Sequence, residues 1–456
     1  MSDNRSIRIA YIGGGSQNFG WQFISALSGE ELQGTVMLYD IDKQLSLMNE
    51  VIGNKMREQE TNKSDIVYIA TDTIEDALTD ADFVILSISE GTLDEKINDI
   101  YLPEKFGIVQ SSAENAGPGG IIRALRTIPS YIKIAEAIKE KCPDAWVINL
   151  TNPMNICLMT LYDVFPEIKA FGSTNEPFAS TELIADFISK ESNLPKVHRR
   201  EIKTNLVGIN GFSFFTEIYY NGEDVMDIYT KFNKNFSEMG YEKHTNEFKN
   251  NPLASGNLVK FDMFMRYNAI TAADDRHVAE CCPPWYLSTQ KNAQNWKIGM
   301  MNSNYMKRRK LELADAAKKL MNGESELKTG YAGTDIVNQI KALMGMKNLV
   351  TNVDTVNKGQ ASNLPLGAIV QTNALISKNS VKPVVSGELP EELMILAARQ
   401  ISNQKILMKA AKEKDLDIAF NAFLNDTLMT LPIDSATELY KEMLSGIRSH
   451  LIYYCN

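Results

Sequence analysis

The sequence predicts an α/β protein in which a mainly parallel sheet, covered by helices, is joined to a second, mostly helical α+β lobe. Three observations carry this. The first 150 residues alternate short apolar runs with amphipathic segments, the pattern of strands buried on both faces between helices. Beyond Tyr219 the apolar residues recur at helical spacing, clearest over Leu311–Met321 and Glu391–Asp415. At 456 residues the chain is too long for one hydrophobic core. The division expected is 1–200 for the sheet domain and 201–456 for a substrate-binding and oligomerisation domain.

Each element follows from its residues. Ile7–Ile12 reads as the first strand and runs into Gly13–Gly15, which opens a helix carrying Phe19, Phe23 and Leu27. Thr35–Tyr39 reads as the second strand and ends at Asp40. Ile66–Ala70, Ala81–Leu86 and Ala145–Leu150 read as further strands, the last ending in Thr151-Asn152-Pro153. Phe171-Gly172 continues the pattern, and Phe212–Tyr219 is placed to pair beside Lys203–Ile209. Asn250–Pro252 and Gly323–Gly333 read as loops. Ligands in such sheets sit at the carboxyl ends of the strands, and the cleft between the lobes is the expected active site.

Composition narrows the function classes. The formal net charge of −10 argues against nucleic acid or an anionic membrane as partner, while leaving room for a small anionic substrate. No run of about 18 apolar residues suggests a membrane span. No secretory segment is read ahead of Ile7, and the odd count of five cysteines fits a reducing compartment, so the cytoplasm is the expected address.

Gly13-Gly14-Gly15-Ser16 stands between a strand and a helix. Gly13 can make the tight turn, and Gly15 lets the backbone approach a pyrophosphate seated on the helix N-terminus. The usual third glycine is out of place, with Phe19 and Gly20 there instead. Asp40 closes the next strand, where a carboxylate takes both ribose hydroxyls. A 2′-phosphate would meet like charge there, so the expected cofactor is NAD rather than NADP. These residues predict a Rossmann-type dinucleotide domain.

A dinucleotide does not fix the reaction. A hydroxyacid dehydrogenase wants a histidine base, and the chain has four histidines. His198 and His244 lie in polar stretches and read as surface, and His450 has no motif around it. His277, in Asp274-Asp275-Arg276-His277, is the one that could serve a site; the alternative is that this run of polar groups is merely a helix cap with a surface network.

Taken together, the motifs resemble the NAD- and metal-dependent glycosidases of glycoside hydrolase family four, closest to the alpha-galacturonidase and alpha-galactosidase-like branch. The resemblance rests on Ile12–Ser16, Leu38–Asp42, Gly117–Ile121, Arg123–Arg126, Leu150–Met154, Val207–Asn210, Ala273–His277 and Asn363–Pro365. It implies a hydrolysis in which the sugar is transiently oxidised at C3, deprotonated at C2 and relieved of its aglycone at C1. A carbonyl beside C2 delocalises the carbanion, and a cation or hydrogen-bond donors must stabilise the enolate oxygen. In the family a divalent metal, often manganese, does this. The resemblance also implies a sugar substrate, a galacturonide or related hexoside, and a homodimer or homotetramer.

Residue by residue, the resemblance implies that Gly13, Gly15, Ser16, Asp40 and Asn152 contact the cofactor. Asn152, Glu114, Asn210 and Arg276 would hold the sugar, Glu114 standing where relatives usually carry Asp. Asp275 matches the region supplying a base, and Arg276 and His277 could grip an anionic sugar group; Arg276 could instead pair with Asp274 or Asp275. The chain departs from the family at two places. The metal-ligating Cys aligns with Thr174 and the adjacent His, a candidate general acid, with Asn175. The second metal-ligating His aligns with Gly211. Thr and Gly do not replace a thiolate and an imidazole, so no tight metal is expected there. Asn175, Asn210, Thr174 and His277 would then stabilise the enolate, with Asp275, Asn175 and His277 as the catalytic set. An NAD-linked sugar oxidoreductase and an inactive NAD- and sugar-binding protein remain as alternatives.

Overall fold

The computed structural model describes residues 6–192, 195–243, 251–330 and 335–455. Six parallel strands are β1 (Ile7–Ile12), β2 (Gln33–Tyr39), β3 (Asp65–Ala70), β4 (Phe83–Leu86), β5 (Trp146–Asn149) and β6 (Lys169–Gly172). Their order, β3-β2-β1-β4-β5-β6, reverses direction between β1 and β4. That switch point is where a crevice opens beyond the carboxyl ends of the strands. Helices Phe19–Ser28 and Lys43–Arg57 cover one face of the sheet and Gly117–Lys141 and Met154–Val164 the other, which is why strands such as Phe83–Leu86 are buried throughout.

A second, antiparallel sheet follows. β7 (Ile202–Ile209) and β8 (Phe212–Tyr220) form a hairpin, extended by β9 (Glu223–Asp224) and β10 (Ile270–Thr271). The hairpin turn places Asn210 and Gly211 at its tip, Gly211 with φ +80°. Then the chain returns to the first sheet. β11 (Leu349–Val356), β12 (Ile369–Ser377) and β13 (Ser380–Pro383) add to it antiparallel, β11 pairing with β6 through Asp354 and Gly172. The nine-stranded sheet therefore takes six strands from before residue 200 and three from after residue 348.

The C-terminal helices Glu391–Glu413, Leu416–Leu424 and Ile433–Gly446 bury Leu407, Phe423 and Leu439 against Ile121, Leu125 and Ile128 of the long helix Gly117–Lys141. Arg126 on that helix is fully buried and holds Asp99 through two hydrogen bonds of 2.9 and 2.6 Å. Among the described residues no helix is long and apolar enough to cross a membrane.

Candidate active site

The glycine turn leaves β1 as a tight fold of backbone. The N–H groups of Gly13 and Gly14 both donate to the Tyr39 carbonyl, at 2.9 and 2.8 Å. Gly13 has φ +88°, and a Cβ there would stand 2.2 Å from the Ser87 carbonyl oxygen, so only glycine fits. Asp40 at the end of β2 accepts from Gly15 N–H through Oδ2 at 2.9 Å and from Asp42 N–H through Oδ1 at 3.0 Å. The acid thus also fastens the turn to the second strand.

Beyond the turn lies a cleft of about 400 Å³. Ser16 and Phe19 form one end; Ser87, Ile88, Ser89, Thr151 and Asn152 line the middle; Glu114, Arg123, Thr174, Asn175, Glu176 and His277 form the other end. The segments that follow β1, β4, β5 and β6 all contribute to it. Of the residues singled out in the sequence, Ser16, Glu114, Asn152, Thr174, Asn175 and His277 line this one cleft.

Charge is concentrated at the far end. His277 presents Nε2 to Glu114 Oε2 at 3.4 Å, and its Nδ1 is in close contact with Glu176 Oε1. Glu114 also faces Arg123 Nη1 at 3.4 Å and accepts a 2.9 Å hydrogen bond from Asn152 Nδ2. Burial by itself pulls the His277 imidazole down, but Glu176 and Glu114 outweigh it and hold the group well above the ordinary histidine value. An ion pair at about 4 Å in such surroundings is worth roughly 4 kcal/mol before desolvation, and two carboxylates share the task. Burial likewise pushes the Glu114 carboxyl up, and Arg123, His277 and Arg276 overcome it and hold it well below the usual carboxylate range. The centre is a buried imidazole, favoured in its charged form, between Glu114 and Glu176.

Asp275 stands away from the cleft lining. It is fully buried, and its carboxylate accepts from the N–H groups of Val259 and Lys260, at 3.2 and 3.1 Å, where helix Leu258–Tyr267 begins. The reason is the helix Asp275–Cys281. Two residues along a helix turn the side chain by about 200°, so Asp275 and His277 point to opposite sides. Asp274 caps this helix by accepting from Arg276 N–H at 3.1 Å. Arg276 turns its guanidinium toward Asp274, at 3.5 Å, and stands outside the cleft lining. Asn210 stands behind the wall, accepting from Asn115 Nδ2 at 3.1 Å. His198 is exposed and caps the turn Arg199–Glu201, and His450 Nε2 faces Glu95 at 3.2 Å. His244 lies outside the described residues.

Three acids escaped the sequence reading. Glu176 lines the cleft at the start of helix Glu176–Glu191, and its Oε2 is buried with no hydrogen-bond partner. Asp354 arrives on β11 and is fully buried below Gly172; burial pushes its carboxyl up to about 7 against the hydrogen bonds from Gln371, with Glu176 adding to the rise. Glu280 lies one turn beyond His277 and binds the loop before Glu114. Glu176 was within sight, in the stretch Thr174-Asn175-Glu176; the other two have no local signal. Among the described residues no group of three or more His, Cys, Asp or Glu side chains is arranged to hold a metal ion.

Comparison with known proteins agrees with this architecture. The description "Family 4 glycosyl hydrolase" matches residues 8–190, and "Family 4 glycosyl hydrolase C-terminal domain" matches residues 206–429. The chain is 45% identical to an alpha-galacturonidase of Thermoanaerobacterium saccharolyticum over 448 residues, 98% of this chain and 96% of that one. It is 41% identical to an alpha-galacturonidase of Bacillus subtilis, covering 97% of each. Among solved structures it is similar to lplD of Bacillus subtilis, with 41% identity, 96% of this chain and 100% of that one covered, and a TM-score of 0.92. The chain belongs to the family 4 glycosyl hydrolases.

Proposed function

We propose that this protein hydrolyses alpha-galacturonides with the help of bound NAD and without a tightly held divalent ion. One observation carries the reading. The cleft runs unbroken from the glycine turn at Ser16 to the imidazolium at His277, with Asn152 between them. A sugar resting on Asn152 therefore lies within reach of both a dinucleotide and the charged end. The relatives' activity on alpha-galacturonides supports the choice of sugar.

The turn suits a dinucleotide. Its glycines admit close approach of a pyrophosphate, and Asp40 keeps lone pairs free for ribose hydroxyls after binding Gly15 and Asp42. NAD, when bound, would supply a hydride acceptor for C3 of the sugar. The chain's own groups do the rest. Asn152 and Glu114 orient the C2 and C3 hydroxyls. His277, held protonated, stabilises negative charge on the enolate oxygen as a fixed cation. Glu114 is too weak a base to take the C2 proton, being held ionised by three cations. Glu176, which lines the cleft and has an oxygen without a hydrogen-bond partner, is the better candidate for the base. Arg123 is the lining guanidinium suited to the uronate carboxylate.

The donors at the family's metal positions do not fit a divalent ion. Thr174 offers a neutral hydroxyl, and Gly211 offers no side chain. A Cβ at Gly211 would lie 3.3 Å from Asn115 Nδ2 and 3.4 Å from His277 Cβ, so the space is packed by other residues.

The test is a glycoside panel with NAD, reading aglycone release and nucleotide absorbance together. Release of aglycone from an alpha-galacturonide without net NADH is the expected result. Accumulating NADH without aglycone would point instead to a sugar oxidoreductase, and binding without turnover to an inactive relative.

A further inference from the structure

Glu280 makes an unusual set of contacts for a residue outside the cleft. It is 1% exposed. Its Oε1 accepts from three consecutive backbone N–H groups, Ser111 and Ser112 at 2.7 Å and Ala113 at 2.9 Å, and from Ser111 Oγ at 3.2 Å. Its Oε2 accepts from Ser112 Oγ at 2.9 Å. Three successive N–H groups converge on one oxygen only when the backbone curls, and curled backbone of this kind binds anions. Ala113 completes the curl at φ +52°, a left-handed conformation that a non-glycine residue adopts only when its surroundings hold it.

The residues that leave this curl are Glu114 and Asn115. Their direction is set by the curl on one side and, on the other, by Gly117 N–H, which donates to Asp426 Oδ2 at 3.1 Å. Glu280 and His277 share helix Asp275–Cys281 and lie three positions apart, so they leave it about 60° apart, on the same side. One short helix therefore carries the imidazolium toward Glu114 and, a turn later, the carboxylate that grips the loop bearing Glu114.

We propose that Glu280 is a positioning residue, which fixes Glu114 against His277 by clamping the Ser111–Ala113 backbone. A displacement of about 1 Å at a reacting group can cost about 100-fold in rate. The kinetic part of the test rests on the glycosidase reading above, and the spectroscopic part does not.

Glu280→Ala removes every acceptor from the curl. It is expected to lower kcat by roughly 100-fold while the KM for NAD stays within about twofold, since the glycine turn is untouched. Glu280→Gln also lacks the charge but keeps an oxygen where Oε1 stands. It is expected to restore kcat to within about tenfold of wild type. The ring 15N resonances of His277, assigned with a His277→Gln control, should move in Glu280→Ala and return near their wild-type positions in Glu280→Gln. If Glu280→Ala does not fold, Glu280→Asp replaces it, because its shorter arm withdraws the carboxylate from the three amides. The proposal is overturned if the alanine variant, or its aspartate substitute, keeps wild-type kcat and resonances. It is equally overturned if alanine and glutamine lose kcat to the same extent. Resonances that behave as expected in a protein that cleaves no galacturonide support the clamp and reject the glycosidase reading alone.

Discussion

His277 Nε2 lies 3.4 Å from Glu114 Oε2, and the two groups hold each other charged. The groups facing the imidazole are Glu114, Glu176, Asp274 and Arg276, three acids against one cation. The direction of the pH effect follows. A raised histidine stays protonated as pH climbs past its ordinary value of about 6.5, so turnover that needs the imidazolium persists there and is lost only at higher pH. Measured as kcat/KM against pH, the alkaline limb should lie well above 6.5. Glu114→Gln removes one partner and should draw that limb down. A wild-type limb at the ordinary histidine value would remove the imidazolium from the reaction.

Glu176 and Asp275 make different predictions. Glu176→Gln should lower kcat by about 100-fold or more, in the range seen when a general base is lost, and should also lower the thermal midpoint, because Glu176 partners the buried His277. Asp275→Asn should lower the midpoint alone. Its carboxylate caps helix Leu258–Tyr267 through two backbone N–H groups and neighbours the buried Lys260, so the midpoint should fall while the folded protein keeps most of its kcat. Breaking a buried charge partnership typically costs 3–5 kcal/mol, roughly enough to move a midpoint by several degrees. Loss of kcat on Asp275→Asn in fully folded protein would return the base to Asp275.

These assignments mark what the sequence could and could not convey. Gly13, Gly15 and Asp40 were legible because a turn, a helix start and a strand end are local. The β11 and β12 strands were not, because Thr351, Asn352, Asp354, Gln371 and Thr372 interrupt the apolar alternation that marks a strand. These polar groups are nonetheless buried, and Gln371 donates to Asp354 within the nine-stranded sheet while accepting from Ser213 of the second sheet. The Asp274–His277 run was legible as a site, but the turn of the helix, not the composition, decides which of its members faces the cleft. Glu280 could be found only through its contact with a loop far away in the chain.

Cofactor choice should rest on Asp40. Its carboxylate stands at the end of β2 and would oppose a 2′-phosphate. Calorimetry should show NAD binding more tightly than NADP. Asp40→Ala should weaken NAD by roughly tenfold or more, since it loses both the ribose contact and the bond to Gly15 N–H, and should narrow the preference. Equal or tighter binding of NADP to the unaltered protein would defeat the assignment.

Metal dependence gives the sharpest separation from the family's ordinary chemistry. A transition-metal site draws its affinity from thiolate, imidazole and carboxylate ligands, and hydroxyl or carbonyl oxygens do not compensate for losing two of them. At Thr174 and Gly211 the chain offers one hydroxyl. Gly211 is also closed to replacement, because its φ of +80° and the approach of Asn115 and His277 leave an added side chain strained. If a fixed imidazolium does the work of the ion, dialysis against a chelator should leave aglycone release unchanged. Elemental analysis of the active protein should find manganese well below one ion per chain. His277→Gln should then abolish activity that added manganese does not restore. Stoichiometric manganese, with activity lost on chelation and recovered on its return, would show that the ion is still held by other donors and that His277 has a different task.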